Sequence, residues 1–145
     1  MTYKFCVTAL QTDPNSHHAS FEGLGLIALK LDKIKMSRLI SYTENLVKYK
    51  QFNDSYVKEA LKDCVELYSD GIDSVMVATM AYKVRDYGTA NVHMSAAFDS
   101  AFDCEDGFNE RRGVEFPLKK LNQVMISVNE LALYFTYELS QPKND

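Results

Sequence analysis

The stretch LKDCVELYSDGIDSVMVATMAYKVRDYGTANVHMSAAFDSAFDCEDGF, residues 61–108, contains two helix-like segments separated by a short polar break. Apolar and small residues recur in alternating steps of four and three on both sides of the break. This is the spacing of a seam, the line of side chains that one helix turns toward its neighbours. The two seams consist of Val57, Leu61, Cys64, Tyr68, Gly71, Val75, Ala78 and Tyr82, and of Ala90, Met94, Ala97, Ala101, Cys104 and Phe108. The stretch therefore predicts two long helices that pair as an antiparallel hairpin.

Two cysteines of this stretch lie at equal distances from the predicted turn. Cys64 precedes Val84 by 20 residues, and Cys104 follows it by 20. An antiparallel hairpin places them opposite each other, where a disulfide can form; it would close a loop of about 40 residues. The alternative is a pair of reduced core cysteines. A bridge would imply an oxidising compartment, and Cys6 would then be either free or bonded to another chain.

The helical spacing continues through most of the remaining chain. A short helix is expected over residues 2–11, and longer ones over residues 16–50, with Ser16 as the N-cap, and over residues 117–139. Their seams are predicted at Leu24, Ala28, Leu31, Leu39, Tyr42, Leu46 and Tyr49, and at Leu118, Leu121, Met125, Val128, Ala132, Phe135 and Leu139. Four seams joined by short loops predict an all-α, up-down-up-down four-helix bundle.

The length and composition are typical of one globular domain over residues 1–145, with a short extension at 1–15 and the bundle at 16–140. The net charge of −4 argues against a nucleic-acid partner. No long apolar run indicates a membrane span. No signal peptide is recognisable at the start, so the chain is expected to be cytosolic or the trimmed form of a longer protein.

The sequence offers little support for catalysis or metal binding. The segment DCEDG does not have the glycine and glutamate positions of a calcium loop, and no Glu-x-x-His pair suggests a di-metal bundle. His17 and His18 are expected to be exposed. No glycine-rich phosphate loop is present. We therefore expect no cofactor, no metal and no enzymatic activity.

Three segments resemble one known family. YKFCVTALQTDPNSHHA, LKDCVELYSDGIDSV and DYGTANVHMSAAFDSAFDCEDGF are similar to the plant invertase and pectin methylesterase inhibitor family, closest to its pollen-allergen branch. The resemblance covers nearly the whole chain. It implies a secreted four-helix bundle preceded by a small helical hairpin, located in the cell wall or apoplast. Because no signal peptide is visible, a vacuolar or cytosolic location stays open.

The resemblance also assigns the cysteines. The family pairs four cysteines in sequence order, and Cys64 and Cys104 match the third and fourth. Cys6 matches the second. The first would lie upstream of Met1, so half of the N-terminal hairpin and its disulfide would be missing. Cys6 would then be unpaired, and a homodimer linked through Cys6 is one expected outcome.

By the same resemblance, the expected partner is a pectin methylesterase or an acid invertase whose active-site cleft is blocked by a protein complex. The family's invertase inhibitors place a Pro-Lys-Phe segment between the second and third bundle helices, where this chain has RDYGTAN. The two targets therefore remain equal alternatives. The predicted contact residues are Arg85, Asp86, Tyr87, Thr89 and Asn91 near the turn, with Asp99 and Asp103 as electrostatic support.

Structural explanations and rival functions are alternatives to these assignments. The acidic residues of the third bundle helix could simply form a solvated face, and Tyr87 could fold back on the bundle instead of contacting a partner. A small-ligand carrier is the rival function, because Gly71, Ala97 and Ala101 on the seams could leave room for a ligand between the helices. A degenerate family member without activity is the third alternative.

Overall fold

The structure is a computed structural model that describes residues 1–143; residues 144 and 145 of the predicted domain lie outside it. Within that range the chain is helical and contains no strand. Its α-helices are α1 (Tyr3–Gln11), α2 (Phe21–Tyr49), α3 (Ser55–Lys83), α4 (Tyr87–Asn109) and α5 (Lys119–Ser140). Helices α2 and α4 each contact both α3 and α5, so the four long helices form a bundle. The predicted all-α, up-down-up-down bundle is confirmed. No helix in residues 1–143 combines the length and apolarity that spanning a bilayer requires.

Helix α2 begins later than predicted because a separate turn precedes it. Pro14–His18 forms a 3-10 helix, and the Asp13 carboxylate accepts the N–H of Asn15 at its start. The chain is then extended at Ser20, whose hydroxyl oxygen accepts the N–H of Gly23. The prediction of Ser16 as the N-cap was therefore wrong: Ser20 takes that role.

The disulfide joins Cys64 of α3 to Cys104 of α4, with the two Cα atoms 4.9 Å apart. Both cysteines are buried, and the predicted pairing is confirmed. The Tyr68 hydroxyl lies 3.2 Å from the Cys104 sulfur and donates to Oδ1 of Asn122 at 2.6 Å. The Asn122 amide in turn donates to the Ala101 carbonyl at 3.0 Å. The bridge therefore sits in a buried polar network that also ties α5 to the hairpin.

Helices α3 and α4 bury every residue of their predicted seams. The predictions for the outer helices were less accurate. Tyr42, Tyr49 and Leu121 are exposed rather than buried, and Asn122 occupies the core position beside Leu121. The buried line of α2 contains small and polar residues among its apolar ones: Gly25, Ala28, Leu29, Asp32, Met36, Leu39 and Thr43.

A carboxyl group lies inside the bundle, between α2 and α5. Asp32 has no exposed surface, and neither has Asn129. With its amide nitrogen facing Asp32, Asn129 donates to both carboxylate oxygens, at 2.6 and 3.1 Å. Burial raises the pKa of Asp32 well above its ordinary value, because the charged form loses its hydration.

Helix α1 is docked on the bundle although it is short. It contacts α2 and α5, and Leu10 is buried in the apolar cluster that contains Leu29 and Leu131. The N-terminal ammonium forms an ion pair with Glu130 at 2.8 Å. Cys6 is a free, half-buried thiol on this helix. Burial raises its pKa, so the less reactive thiol form is favoured.

Candidate functional site: the turn between helices α3 and α4

Only Val84, Arg85 and Asp86 separate α3 from α4. The N–H of Arg85 donates to the Tyr82 carbonyl at 3.0 Å, and that of Asp86 donates to the Ala81 carbonyl at 2.9 Å. This pair of hydrogen bonds is the Schellman arrangement, which requires a left-handed residue after the helix end. Arg85 supplies it with a φ of 63°, the one positive φ of a non-glycine residue in the described chain. The turn is therefore tightly closed and presents an arginine where glycine is usual.

Asp86 closes one helix and opens the next. While its N–H caps α3, its carboxylate accepts the N–H of Thr89 at 3.2 Å at the start of α4. Helix α4 consequently begins at Tyr87, directly after this cap. The side chains of Arg85, Asp86 and Thr89 are all exposed. These three predicted site residues therefore lie together on the surface at one end of the hairpin.

Tyr87 faces the bundle rather than solvent. Its ring is half-buried and makes an edge contact with the ring of Tyr82, with a centroid distance of 5.1 Å. The Tyr82 hydroxyl donates to the Glu22 carbonyl at 2.6 Å. Burial, and to a smaller degree the nearby Tyr87 and Glu22, raise the pKa of Tyr82, so its hydroxyl stays a donor. Tyr87 thus connects the turn, through Tyr82, to the first turn of α2.

Asn91 is also engaged within the bundle. Its side-chain carbonyl accepts the Thr136 hydroxyl of α5 at 3.2 Å, and its backbone carbonyl accepts the Ser95 hydroxyl at 3.0 Å. Asn91 is half-buried, whereas Thr136 has no exposed surface. The structure therefore separates Asn91 from the exposed turn residues and places it at the α4–α5 contact.

The two predicted acidic residues belong to an exposed stripe along α4. Its members recur at the heptad intervals that keep residues on one helix face: Thr89, Val92, Ala96, Asp99 and Asp103. None of them forms an ion pair with another residue of the range 1–143. The stripe therefore extends from the turn along α4 with a negative charge that no described neighbour compensates.

Large apolar side chains flank the turn, and the sequence pattern did not identify them as site residues. Met80, Val84 and Val92 are 70%, 76% and 66% exposed. We name the exposed group Met80, Val84, Arg85, Thr89 and Val92 the turn surface. A signal for it existed, because Met80 falls between the seam positions Ala78 and Tyr82 and Val84 follows the last of them, so neither belongs to the buried seam.

The bundle interior near Gly71 has no room for the ligand that the ligand-carrier alternative requires. A Cβ built at Gly71 would lie 3.2 Å from the Met36 methyl carbon and 3.2 Å from the Ser100 side chain. The small seam residue therefore serves the close approach of helices. Residues 1–143 contain no group of three or more acidic, histidine or cysteine side chains arranged to hold a metal ion.

Comparisons with known sequences agree on one family. The family model for plant invertase/pectin methylesterase inhibitors matches residues 1–134. A "Putative invertase inhibitor" of Platanus orientalis is 39% identical over 136 residues, which are 94% of this chain and 79% of the relative. A "Pectinesterase inhibitor" of Actinidia deliciosa is 33% identical over 103 residues, 71% of this chain and 55% of the relative.

A solved structure has the same fold. It is the crystal structure of a mutant form of a pectin methylesterase inhibitor from Arabidopsis, which superimposes with a TM-score of 0.79. The superposition covers 97% of this chain and 91% of that one, at 22% sequence identity. At this identity the likeness concerns the helical architecture alone.

Proposed function

The chain belongs to the plant invertase/pectin methylesterase inhibitor family, and from this we propose that it inhibits a plant cell-wall carbohydrate-active enzyme. The target is a pectin methylesterase or an acid invertase. Inhibition takes place through a protein–protein complex that covers the active-site cleft of the target. The family consists of inhibitor proteins, and we propose that this chain, too, acts without catalysing a reaction and in the extracellular space.

The observation that carries the proposal is the turn surface. Three large apolar side chains stand exposed at one end of the bundle, in the same segment of the chain as the exposed Arg85 and Thr89. Exposed apolar groups rimmed by polar ones are typical of protein interfaces. An arginine among them supplies the planar donor group that interface hot spots favour. This end of the hairpin therefore suits a protein partner better than solvent alone.

Rigidity of the turn favours tight binding. Its backbone is held by the two bonds that close α3 and by the carboxylate cap of α4. A surface that is already ordered loses little conformational entropy on association, so more of the contact energy appears as affinity. We assign Tyr87 and Asn91 to this support: through Tyr82 and Thr136 they hold the turn against α3 and α5.

The acidic part of the stripe supplies electrostatic support. Asp99 and Asp103 extend the contact area along α4 and attract a basic surface of the target enzyme. Because both are exposed, salt screens their contribution. We expect them to alter the association rate more than the lifetime of the complex.

A titration of two enzymes tests the proposal and chooses the target. Purified protein is added to a pectin methylesterase and to an acid invertase, and both activities are measured from pH 4 to pH 7. We expect one activity to fall in near-stoichiometric proportion. Full activity of both enzymes with excess protein, across this pH range, would overturn the proposal for the enzymes tested.

A matched pair of valine substitutions tests the location. Val84→Gln changes the turn surface, and Val124→Gln changes an exposed valine of α5. We expect Val84→Gln to weaken inhibition by roughly 5- to 30-fold, the effect of losing 1–2 kcal/mol at a contact. Val124→Gln should inhibit like the wild type. Equal inhibition by both variants would place the contact elsewhere.

A further inference from the structure

A second surface feature lies between α2 and α5. It is a groove of about 240 Å³ lined by Lys35, Arg38, Leu39, Tyr42, Leu121, Val124 and Met125. In the square of helices, the α2–α5 pair is opposite the α3–α4 pair. The groove is therefore on the other side of the bundle from the α3–α4 hairpin, and the proposed function does not use it.

The floor and one wall of the groove are apolar. Leu39 and Met125 are buried at its base, while Tyr42, Leu121 and Val124 keep between 42% and 46% of their surface exposed. Tyr42 and Leu121 are two of the residues that the heptad pattern predicted for the core. Both residues follow the heptad spacing of their helices, but they line this groove instead of the bundle interior.

The rim on α2 is positively charged. Lys35 and Arg38 are three residues apart and so share a helix face. Neither forms an ion pair with any residue in the range 1–143. The chain as a whole has a net charge of −4, so the rim of this groove carries a local charge opposite in sign to that of the whole chain.

We propose that this groove binds an anionic amphiphile, namely a carboxylate attached to a single ring or a short alkyl chain. The apolar part of the ligand would lie on Leu39, Val124 and Met125, and its carboxylate would accept hydrogen bonds from Lys35 and Arg38. Pockets for drug-sized ligands measure about 300–1,000 Å³. A groove of about 240 Å³ therefore fits a smaller molecule.

Octanoate serves as the probe, with binding measured by titration calorimetry and located by amide chemical shifts in NMR spectra. We expect shifts confined to residues around the groove. Affinity should fall as salt is added, because the ion pairs are partly exposed. Hexanoate should bind more weakly by roughly fourfold for each methylene removed. Octan-1-ol, which has the same chain without the charge, should bind roughly tenfold more weakly.

Substitutions on the rim and in the groove separate the two parts of the proposal. Lys35→Gln with Arg38→Gln should weaken octanoate binding about tenfold, whereas Lys33→Gln, an exposed lysine of α2 outside the groove, should not. Val124→Gln should also weaken binding, and Val84→Gln should leave it unchanged. Enzyme inhibition follows the opposite pattern, so either proposal can fail while the other stands.

Three outcomes would overturn the inference. One is equal affinity for octanoate and octan-1-ol, another is NMR shifts spread over the molecule or located away from α2 and α5. The third is a concentration-dependent dimer in sedimentation experiments that Val124→Gln abolishes, since the groove would then be covered by a second copy of the chain. Circular dichroism of each variant confirms that the helices are intact before its binding is compared.

Discussion

Asp32→Asn is expected to make the protein more stable at neutral pH. In the bundle, Asp32 has no contact with solvent and receives its hydrogen bonds from Asn129. Burial raises its pKa well above the ordinary value of 3.8. At neutral pH the core must therefore either hold a charge without water or keep a proton that an unfolded chain releases. Asparagine has nearly the same shape, keeps an acceptor for the Asn129 amide and carries no charge.

The magnitude follows from proton linkage. Between the unfolded pKa, near 3.8, and the raised native pKa, the native state holds one proton more than the unfolded state. The free energy of unfolding then falls by up to about 1.4 kcal/mol for each pH unit. The stabilising contribution of the protonated carboxyl is complete below the unfolded pKa and is lost as pH rises through the native pKa. Asp32→Asn removes this dependence.

Urea denaturation followed by far-UV circular dichroism measures the free energy of unfolding of both proteins at intervals from pH 4 to pH 7. We expect the advantage of Asp32→Asn over the wild type to grow with pH at the slope given above. Asp63→Asn, an exposed position of α3, makes the same change of formal charge and should give a curve parallel to the wild type. A constant difference between Asp32→Asn and the wild type would refute the reasoning.

Three further predictions concern the hairpin and its packing. Replacing both cysteines of the α3–α4 disulfide with alanine should lower the free energy of unfolding by about 4 kcal/mol, the chain-entropy value for a sequence separation of 40, as measured in urea. Gly25→Ala should lower the free energy of unfolding by about 1–3 kcal/mol, because the new Cβ would overlap the Tyr82 hydroxyl and lie 2.9 Å from the Cβ of Phe135. Gly107→Ala is the matched control: its Cβ would meet open space, so this variant should raise the free energy of unfolding by roughly 0.5–1 kcal/mol. Arg85→Gly should raise the melting temperature by relieving a left-handed residue that costs roughly 1 kcal/mol, while it weakens inhibition in the two-enzyme titration.

The α3–α4 hairpin was predictable because two independent signals agree there. Its seams alternate in steps of four and three without a polar interruption, and all of their residues are buried. The equal spacing of Cys64 and Cys104 from the turn adds a geometric restraint, which the disulfide confirms. A regular period and a symmetric pair of cysteines together determine both the register and the direction of the two helices.

Helix α2 was harder to predict because its buried line is chemically mixed. Asp32 and Thr43 are polar, and Gly25 has no side chain. The hydrophobic spacing therefore selected the neighbouring tyrosines as seam residues, although both are exposed. Asp32 can be buried because Asn129 donates hydrogen bonds to its carboxylate. Asn129 lies 97 residues later in the sequence, and no local sequence pattern predicts such a partner. A buried polar pair is a tertiary contact, so it is seen only in the packed structure.

The turn was located correctly, but the roles of its residues depend on contacts that composition does not contain. Whether Tyr87 points outward or inward is determined by the ring of Tyr82 in the last turn of α3. Asn91 is directed to α5 by Thr136. The exposed residues Arg85, Asp86 and Thr89 lie where the break in the helical pattern placed them, because the shortest connection between two helices has little room to bury its side chains.

The conformation of Arg85 bears on why the hairpin ends as it does. A glycine at this position would close α3 with the same two hydrogen bonds and without the crowding that a Cβ causes at positive φ. Nothing in the described structure requires a side chain there for stability, since Arg85 is exposed and forms no ion pair within residues 1–143. Strain that persists without a structural benefit points to a benefit outside the fold. We propose that this benefit is contact of the exposed Arg85 side chain with a partner surface, the situation that the inhibitory complex would create.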